Sequence, residues 1–243
     1  MRKNFVVLLC LFAVAACSKH DPILPGLRTP VFDANNNQVL NQPIDNLPVA
    51  IAQTSNTECP YTQDSTNVIK DARGRKIFSG FPTNNSVRSN AHPVCSGKYV
   101  YAGLTTGEVV KIDAKSREVI WIADIFRTSN MTGGASVVDI VAPIALVGGD
   151  VYAGGLGDAY CRLNAKTGAK KWCTNISVAY PFIITDVASF VVASDSNLYA
   201  VRNSDGAIYW RAPVKKPGAP SYENEIITVG RQQINAKTGE IIK

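Results

Sequence analysis

The chain has 243 residues, 46% of them apolar, 18% charged and 8% aromatic, with 18 Gly and 13 Pro. That apolar fraction excludes a disordered or collagen-like chain, and the length allows one large all-β or α/β domain or two small ones. The formal charge of +6 is scattered, with no run of Lys or Arg longer than two; a nucleic-acid footprint would cluster them, so no nucleic-acid partner is expected.

Met1-Arg2-Lys3-Asn4 is a short basic start, followed by the apolar stretch Phe5 to Ala16. Twelve helical residues would span only about 18 Å, short of a hydrocarbon core of about 30 Å, so residues 1–16 read as a signal peptide. The stretch ends Val14-Ala15-Ala16-Cys17, which resembles the bacterial lipobox. The resemblance implies cleavage before Cys17, acylation of its thiol and amine, and, with Ser18 rather than Asp next, export to the outer membrane. An ordinary small-residue cleavage site with Cys17 incidental is the alternative. Acyl chains contribute about 0.8 kcal/mol per buried methylene, so several make a durable anchor. Residues 17–26, with Pro22 and Pro25, read as a tether.

With Cys10 in the signal and Cys17 acylated, Cys59, Cys95, Cys161 and Cys173 remain. In an oxidising compartment these four can form two disulfides, with three possible connectivities. Cys161 and Cys173 flank one expected hairpin turn, which favours their pairing and leaves Cys59 with Cys95; free buried thiols are the alternative. No CxxC spacing occurs and His20 and His92 are the sole histidines, so a zinc site is not expected.

Residues 27–243 read as one repeat-built domain. Val31 to Leu40 and Val68 to Phe78 have a weak strand–turn–strand shape, and Pro43 to Thr57 reads as a polar, extended connector. From residue 93 the pattern is clear. Segments opening at Pro93, Pro143, Pro181 and Pro220 each lead into an alternating strand such as Tyr99-Val100-Tyr101-Ala102 or Val151-Tyr152-Ala153-Gly154. Polar corners follow, at Asp113–Arg117, Asn164–Gly168, Asn203–Gly206 and Asn235–Gly239. Three units then end in Trp121, Trp172 and Trp210, with Phe78 standing at that place upstream.

β-branched and aromatic runs this short, bounded by Gly, Asn and Asp, are strands rather than helices. The Asx side chain can bond backbone N–H groups ahead of it, and Gly supplies the left-handed residue that closes the corner. Arg117 stands where the other corners have Gly, so that corner should be strained or of another type. A four-stranded sheet cannot cover both its apolar faces, so units must stack, with each Trp filling space between neighbours. The fold expected is all-β: a β-propeller of four-stranded antiparallel blades, incomplete or small, with four to six blades.

The run Val151-Tyr152-Ala153-Gly154 to Asn164-Ala165-Lys166-Thr167-Gly168-Ala169-Lys170-Lys171-Trp172 resembles the PQQ-like, quinoprotein-type propeller repeat. Joined to the lipobox and to Leu24-Pro25-Gly26-Leu27-Arg28-Thr29-Pro30-Val31, it is similar to the BamB-like lipoproteins of outer-membrane β-barrel assembly. That resemblance implies a non-catalytic scaffold, lipid-anchored on the periplasmic face of the outer membrane. Its implied partners are the barrel-forming subunit of the assembly complex and unfolded outer-membrane proteins. It also implies eight blades, more than the units found here; a small ring, an open arc or a truncated product would each reconcile the two. The same repeat occurs in PQQ-dependent dehydrogenases, which need a catalytic Asp, a Ca²⁺ site and often adjacent cysteines. No two cysteines are adjacent here and the acidic residues fall mainly in turns, so no cofactor is expected. A generic ligand-binding propeller lipoprotein is the other reading.

Four apparent motifs reduce to structure. Gly154-Gly155-Leu156-Gly157 precedes no helix and reads as a hairpin turn. His92, before Pro93, reads as a loop residue. Asn84, Asn130 and Asn175 begin sequons of no use to a bacterial lipoprotein. Lys215-Lys216 reads as a solvent-facing loop.

Overall fold

A computed structural model describes residues 39–48, 59–83, 91–125 and 137–243, all within one unit spanning Ala34–Lys243. The signal, tether and lipobox residues, His20, Asn84 and Asn130 lie outside the described residues. Among the described residues, five antiparallel sheets follow one another, each meandering from strand to adjacent strand. Blade I is β1 (Thr62–Gln63), β2 (Val68–Lys70) and β3 (Lys76–Ser79); blade II is β4 (Val94–Ser96), β5 (Tyr99–Gly103), β6 (Glu108–Asp113) and β7 (Val119–Asp124). Blade III is β8 (Ala145–Val147), β9 (Asp150–Gly155), β10 (Ala159–Asn164) and β11 (Lys170–Thr174). Blade IV is β12 (Ile183–Ile184), β13 (Ala188–Val192), β14 (Asn197–Arg202) and β15 (Ile208–Pro213); blade V is β16 (Pro220–Glu223), β17 (Ile226–Val229) and β18 (Gln232–Asn235). No helix occurs among the described residues.

Three blades have four strands, while blades I and V have three. In blade V the fourth place is taken by a single bridge, Ile234 to Ile241, beside which Ile242 N–H donates to Gln233 O at 2.8 Å. The architecture is that of an incomplete propeller. Its core falls into four apolar clusters, one at each junction between consecutive blades. Ile69 and Ile77 meet Val100 and Ile112; Val109 and Trp121 meet Val151 and Leu163; Tyr160 and Trp172 meet Val191 and Val201; Phe190 and Trp210 meet Ile227 and Ile234. Stacking thus covers the faces that a lone sheet would leave wet.

The corners form by the expected chemistry, with two differences. In blades II, III and V the first residue, Asp113, Asn164 or Asn235, accepts two backbone N–H bonds at its Oδ1. The fifth residue closes back onto the first residue's carbonyl, at 2.7 Å for Arg117 and 2.8 Å for Gly168 and Gly239. Arg117 therefore makes the same corner as the glycines, carrying a side chain at φ 62°, a region costly for any residue but Gly. In blade IV the corner begins one residue earlier than the sequence suggests. Gly206 N–H closes onto Arg202 O at 2.9 Å, and Asn203 instead turns inward, accepting from Ser189 Oγ at 2.6 Å and donating to Thr185 O at 2.7 Å.

Two further readings are corrected. Gly154 and Gly155 are the end of β9 rather than a turn, which falls at 156–158. The 43–48 stretch is no polar connector: Ile44 and Leu47, 1% and 6% exposed, are buried in the blade IV–V cluster. Ahead of it, Val39 bridges Ile208 in parallel, so the 39–42 chain runs as a strap along β15 rather than as a blade strand of its own, and Ile44 N–H then donates to Lys237 O in the blade V corner at 2.9 Å.

Candidate functional site

Each tryptophan is placed by a one-residue bulge that precedes it on its strand: the register slips between Lys111 and Ile112, Arg162 and Leu163, and Ala200 and Val201 on the facing strands. A bulge re-aims the following side chain, and here it turns the indole onto the next blade's corner. A Cβ on Gly168, Gly206 or Gly239 would lie 2.8, 2.7 or 2.7 Å from the ring of Trp121, Trp172 or Trp210 respectively. Glycine at the fifth corner position thus serves two needs at once, the left-handed backbone and the flat seat of an indole. Each indole N–H also donates to the second corner residue: Trp121 to Ala165 O at 3.3 Å, Trp172 to Asn203 O at 2.8 Å, Trp210 to Ala236 O at 3.2 Å.

Behind each indole stands an aromatic from the second strand of the blade. Ring centroids are 6.0 Å apart for Tyr101–Trp121, 6.1 Å for Tyr152–Trp172 and 5.9 Å for Phe190–Trp210. In two blades a cation joins the same carbonyl: Lys111 Nζ donates to Ala165 O at 2.9 Å and Arg162 Nη1 to Asn203 O at 2.5 Å. Lys111 lies over the rings of Tyr99 and Tyr101, at 4.1 and 5.2 Å, and burial holds its pKa below the ordinary lysine value. Arg162 instead pairs with Asp150, 1% exposed, which Lys171 also reaches at 2.7 Å. Sequence reading missed these cations and aromatics, yet they stand ten and twenty residues before each Trp, with Ala200 in place of a cation in blade IV.

Phe78 has no such seat, since Arg117 stands where the next blade would need Gly. Junction I–II is held differently. Cys59, just ahead of β1, is bonded to Cys95 on β4. Asn67, fully buried, bonds Thr105 from both its Nδ2 and its Oδ1, at 2.8 Å each. The second disulfide joins Cys161 to Cys173, which face each other across β10 and β11.

These groups are built for packing rather than proton transfer. Burial pushes the Tyr152 hydroxyl up to about 12 and that of fully buried Tyr160 well above its ordinary value; both stay protonated at neutral pH. Among the described residues no cluster of three His, Cys, Asp or Glu could hold a metal ion. His92, Lys215 and Lys216 are exposed.

The outer edges of the sheets offer backbone groups for recognition. Strands β3, β7, β11 and β15 are each the last of their sheet and present a row of backbone groups on one side. Blade III guards that row with Lys170 and Lys171, both exposed. Blade IV covers it: Leu40 N–H donates to Ile208 O at 2.9 Å and Gln42 N–H to Tyr209 O at 3.2 Å. Blade II presents Val119, Ile120 and Ile122, 44%, 45% and 49% exposed.

The family model described as outer membrane protein assembly factor BamB matches residues 63–212, from β1 to β15. Outer membrane protein assembly factor BamB of Yersinia pestis is 26% identical over 132 residues, 53% of this chain and 33% of that protein. The protein of the same name from Alkalilimnicola ehrlichii is 25% identical over 126 residues, again 33% of its length. The matched part thus spans about a third of these curated relatives. The solved structure of BamB from Moraxella catarrhalis superposes with a TM-score of 0.64 at 18% identity, over 76% of this chain and 60% of that one. A quinohemoprotein alcohol dehydrogenase, ADHIIG from Pseudomonas putida HK5, gives 0.52 at 16% identity, over 75% and 40%. Binding proteins and enzymes share this architecture, so these two structural likenesses speak for the fold alone. The family match reaches further: by its extent, the chain belongs to the family of outer membrane protein assembly factor BamB.

Proposed function

We propose that this chain is a non-catalytic scaffold lipoprotein of the outer-membrane β-barrel assembly machinery. In this reading residues 1–16 are a signal peptide, residues 17–26 a tether acylated at Cys17, and 27–243 a propeller-type body on the periplasmic face of the outer membrane. The body binds the barrel-forming subunit and receives unfolded outer-membrane proteins as extended chains. The observation that carries the reading is the family match over residues 63–212, supported by the sequence Val14-Ala15-Ala16-Cys17. Strand edges suit the task, because a sheet edge binds extended peptide through main-chain hydrogen bonds that do not depend on the peptide's sequence.

Crosslinking in the native envelope, followed by mass spectrometry of attached proteins, tests this reading. Recovery of the barrel-forming subunit of the assembly complex is the expected result; recovery of a solute-binding or redox partner instead refutes it. Cys17→Ser should move the protein from the membrane to the soluble periplasmic fraction, since the acyl chains that the anchor requires have no other proposed site.

A further inference from the structure

We propose that the outer edge of β7 is a docking site for one extended segment of an unfolded outer-membrane β-strand, laid parallel to Val119–Asp124. The proposal rests on the scaffold reading for the identity of the occupant, and on blade IV for its geometry.

The four outer strands share a register. The bulges align Lys76, Val119, Lys170 and Ile208 at one place, two residues before the aromatic, each pairing with the strand inside it. Two of these residues are lysines, whose charge keeps an edge from pairing. The other two are apolar, and they differ in cover as well as in the indole that the preceding blade seats beside Ile208 but not beside Val119. Ile208, 2% exposed, packs in the blade III–IV cluster with Trp172, and the chain's own Val39–Gln42 runs beside it, bridged in parallel and hydrogen-bonded to β15. Val119, at the same place in blade II, is 44% exposed and has no such cover among the described residues. At the next outward-facing position both blades are exposed and differ in polarity, with Arg211 in blade IV and Ile122, 49% exposed, in blade II.

This protein therefore already shows what an apolar outer edge takes up: an extended segment running parallel to it, with apolar residues Val39 and Leu40 at the contact. Blade II has the apolar edge without a cover among the described residues. Ile120 and Ile122, spaced by two, match the side-chain repeat of a strand. A transmembrane β-strand in its unfolded state offers that repeat over about ten residues, with a free backbone to complete the ladder. Lysine-rich or purely polar segments would bury neither Val119 nor Ile122.

The test uses the purified full chain carrying a photo-crosslinking residue at position 120 or, as the blade III counterpart, at position 171. The probe is an eight-stranded outer-membrane barrel protein, unfolded in urea and diluted into the mixture. Crosslinking at 120 should exceed that at 171 by about tenfold or more, a difference of about 1.4 kcal/mol in occupancy. The double variant V119K/I120K places two lysines where blade III carries Lys170-Lys171, with Tyr99 where blade III has Asp150 as the partner of Lys171. It should melt within a few degrees of the parent, and crosslinking from position 122 should fall by about tenfold. Equal crosslinking at 120 and 171, unchanged crosslinking in the variant, or attachment at 120 to a second copy of this chain or to its own segments would each overturn the proposal. Recovery of the barrel-forming subunit from the envelope is measured in parallel. Its loss from the parent chain sinks the scaffold reading, whereas its persistence with failure at 120 sinks only the edge.

Discussion

The seat of Trp172 on Gly206 gives a prediction that a double-mutant cycle can resolve. Trp172→Ala removes an indole that is 8% exposed, rests 5.6 Å from Tyr160 and 6.1 Å from Tyr152, and donates to Asn203 O at 2.8 Å. The expected cost is about 3–5 kcal/mol, or about 6–20 °C in melting temperature for a domain of this size. Gly206→Ala places a Cβ 2.7 Å from the same ring, at φ +79°. The left-handed backbone costs an Ala about 1 kcal/mol, and pushing the indole from its seat about 1–3 kcal/mol more. In the Trp172→Ala background the ring is gone, so Gly206→Ala should cost only the backbone share. The Thr174 hydroxyl, also 2.7 Å from that Cβ, is present in both backgrounds and cancels. The two changes should therefore be sub-additive by about 1–3 kcal/mol in urea unfolding followed by circular dichroism. Additivity within about 0.5 kcal/mol would mean that the glycine serves the corner alone, and the account of the clamp would fail.

Three further outcomes are expected. Arg117→Gly, at φ 62° with no indole above it, should raise stability by about 0.5–1 kcal/mol in the same unfolding assay. Replacing Cys59 and Cys95 together by Ser should cost more than replacing Cys161 and Cys173, because the loops closed are 36 and 12 residues. Loop entropy gives about 4 against about 3 kcal/mol, and hydrogen exchange should rise first in β1–β3. Burial is the largest single influence on Asp64 and pushes its carboxyl up, but hydrogen bonds from Thr66, Val68 and Lys70 together outweigh it and hold the group at about 2. An unfolded Asp titrates near 3.9, so its contribution is complete above that pH and is lost as pH falls from about 4 to about 2. Over that window the parent should lose more stability than Asp64→Asn; parallel curves would contradict the assignment. Asp71, Asp113 and Asp205 are lowered as well, which is why the comparison is with the variant rather than with a flat line.

How much of this was legible follows from the range of each interaction. The strands, the corners and the place of each Trp are set by residues within about thirty positions of one another, and a repeat displays them several times over. Blade IV shows where such reading slips. Asn203 looks like a corner-opening Asx, but its side chain is taken by Ser189 and Thr185, and the corner starts at Arg202, which pairs with Asp205. Local propensity offered two starts one residue apart, and the tertiary partners of Asn203 decided between them. The strap was illegible for a different reason. Pro43 and Pro48 mark an extended chain correctly, yet nothing nearby says that Ile44 and Leu47 will find a cluster some 150 residues later in the chain. The exposure of Val119, Ile120 and Ile122 is likewise a matter of what does not cover them, which no pattern of apolar and polar residues reports.

The junctions between blades bear on the exposed apolar edge of blade II. Junctions II–III, III–IV and IV–V share a Trp seated on a Gly, a ring behind it and a carbonyl that accepts from the indole, so each blade fixes the corner of the next. Such a chain of clamps has a direction: a blade's outer strand is aligned by the seat its own Trp finds in the following blade. Trp121 gives β7 that alignment, while Ile120 and Ile122 on either side of it are exposed. Blade I has no Trp and no Gly seat in front of it, and relies on the Cys59–Cys95 bond and the Asn67–Thr105 pair instead. Those contacts tie its inner and middle strands to blade II and leave β3 to a lysine-guarded edge. Among the described residues, blade II is thus the first blade in chain order whose outer strand is held by a clamp. A rigid, clamped strand loses little freedom when a segment is added to it, and the ordering cost then falls mainly on the incoming chain.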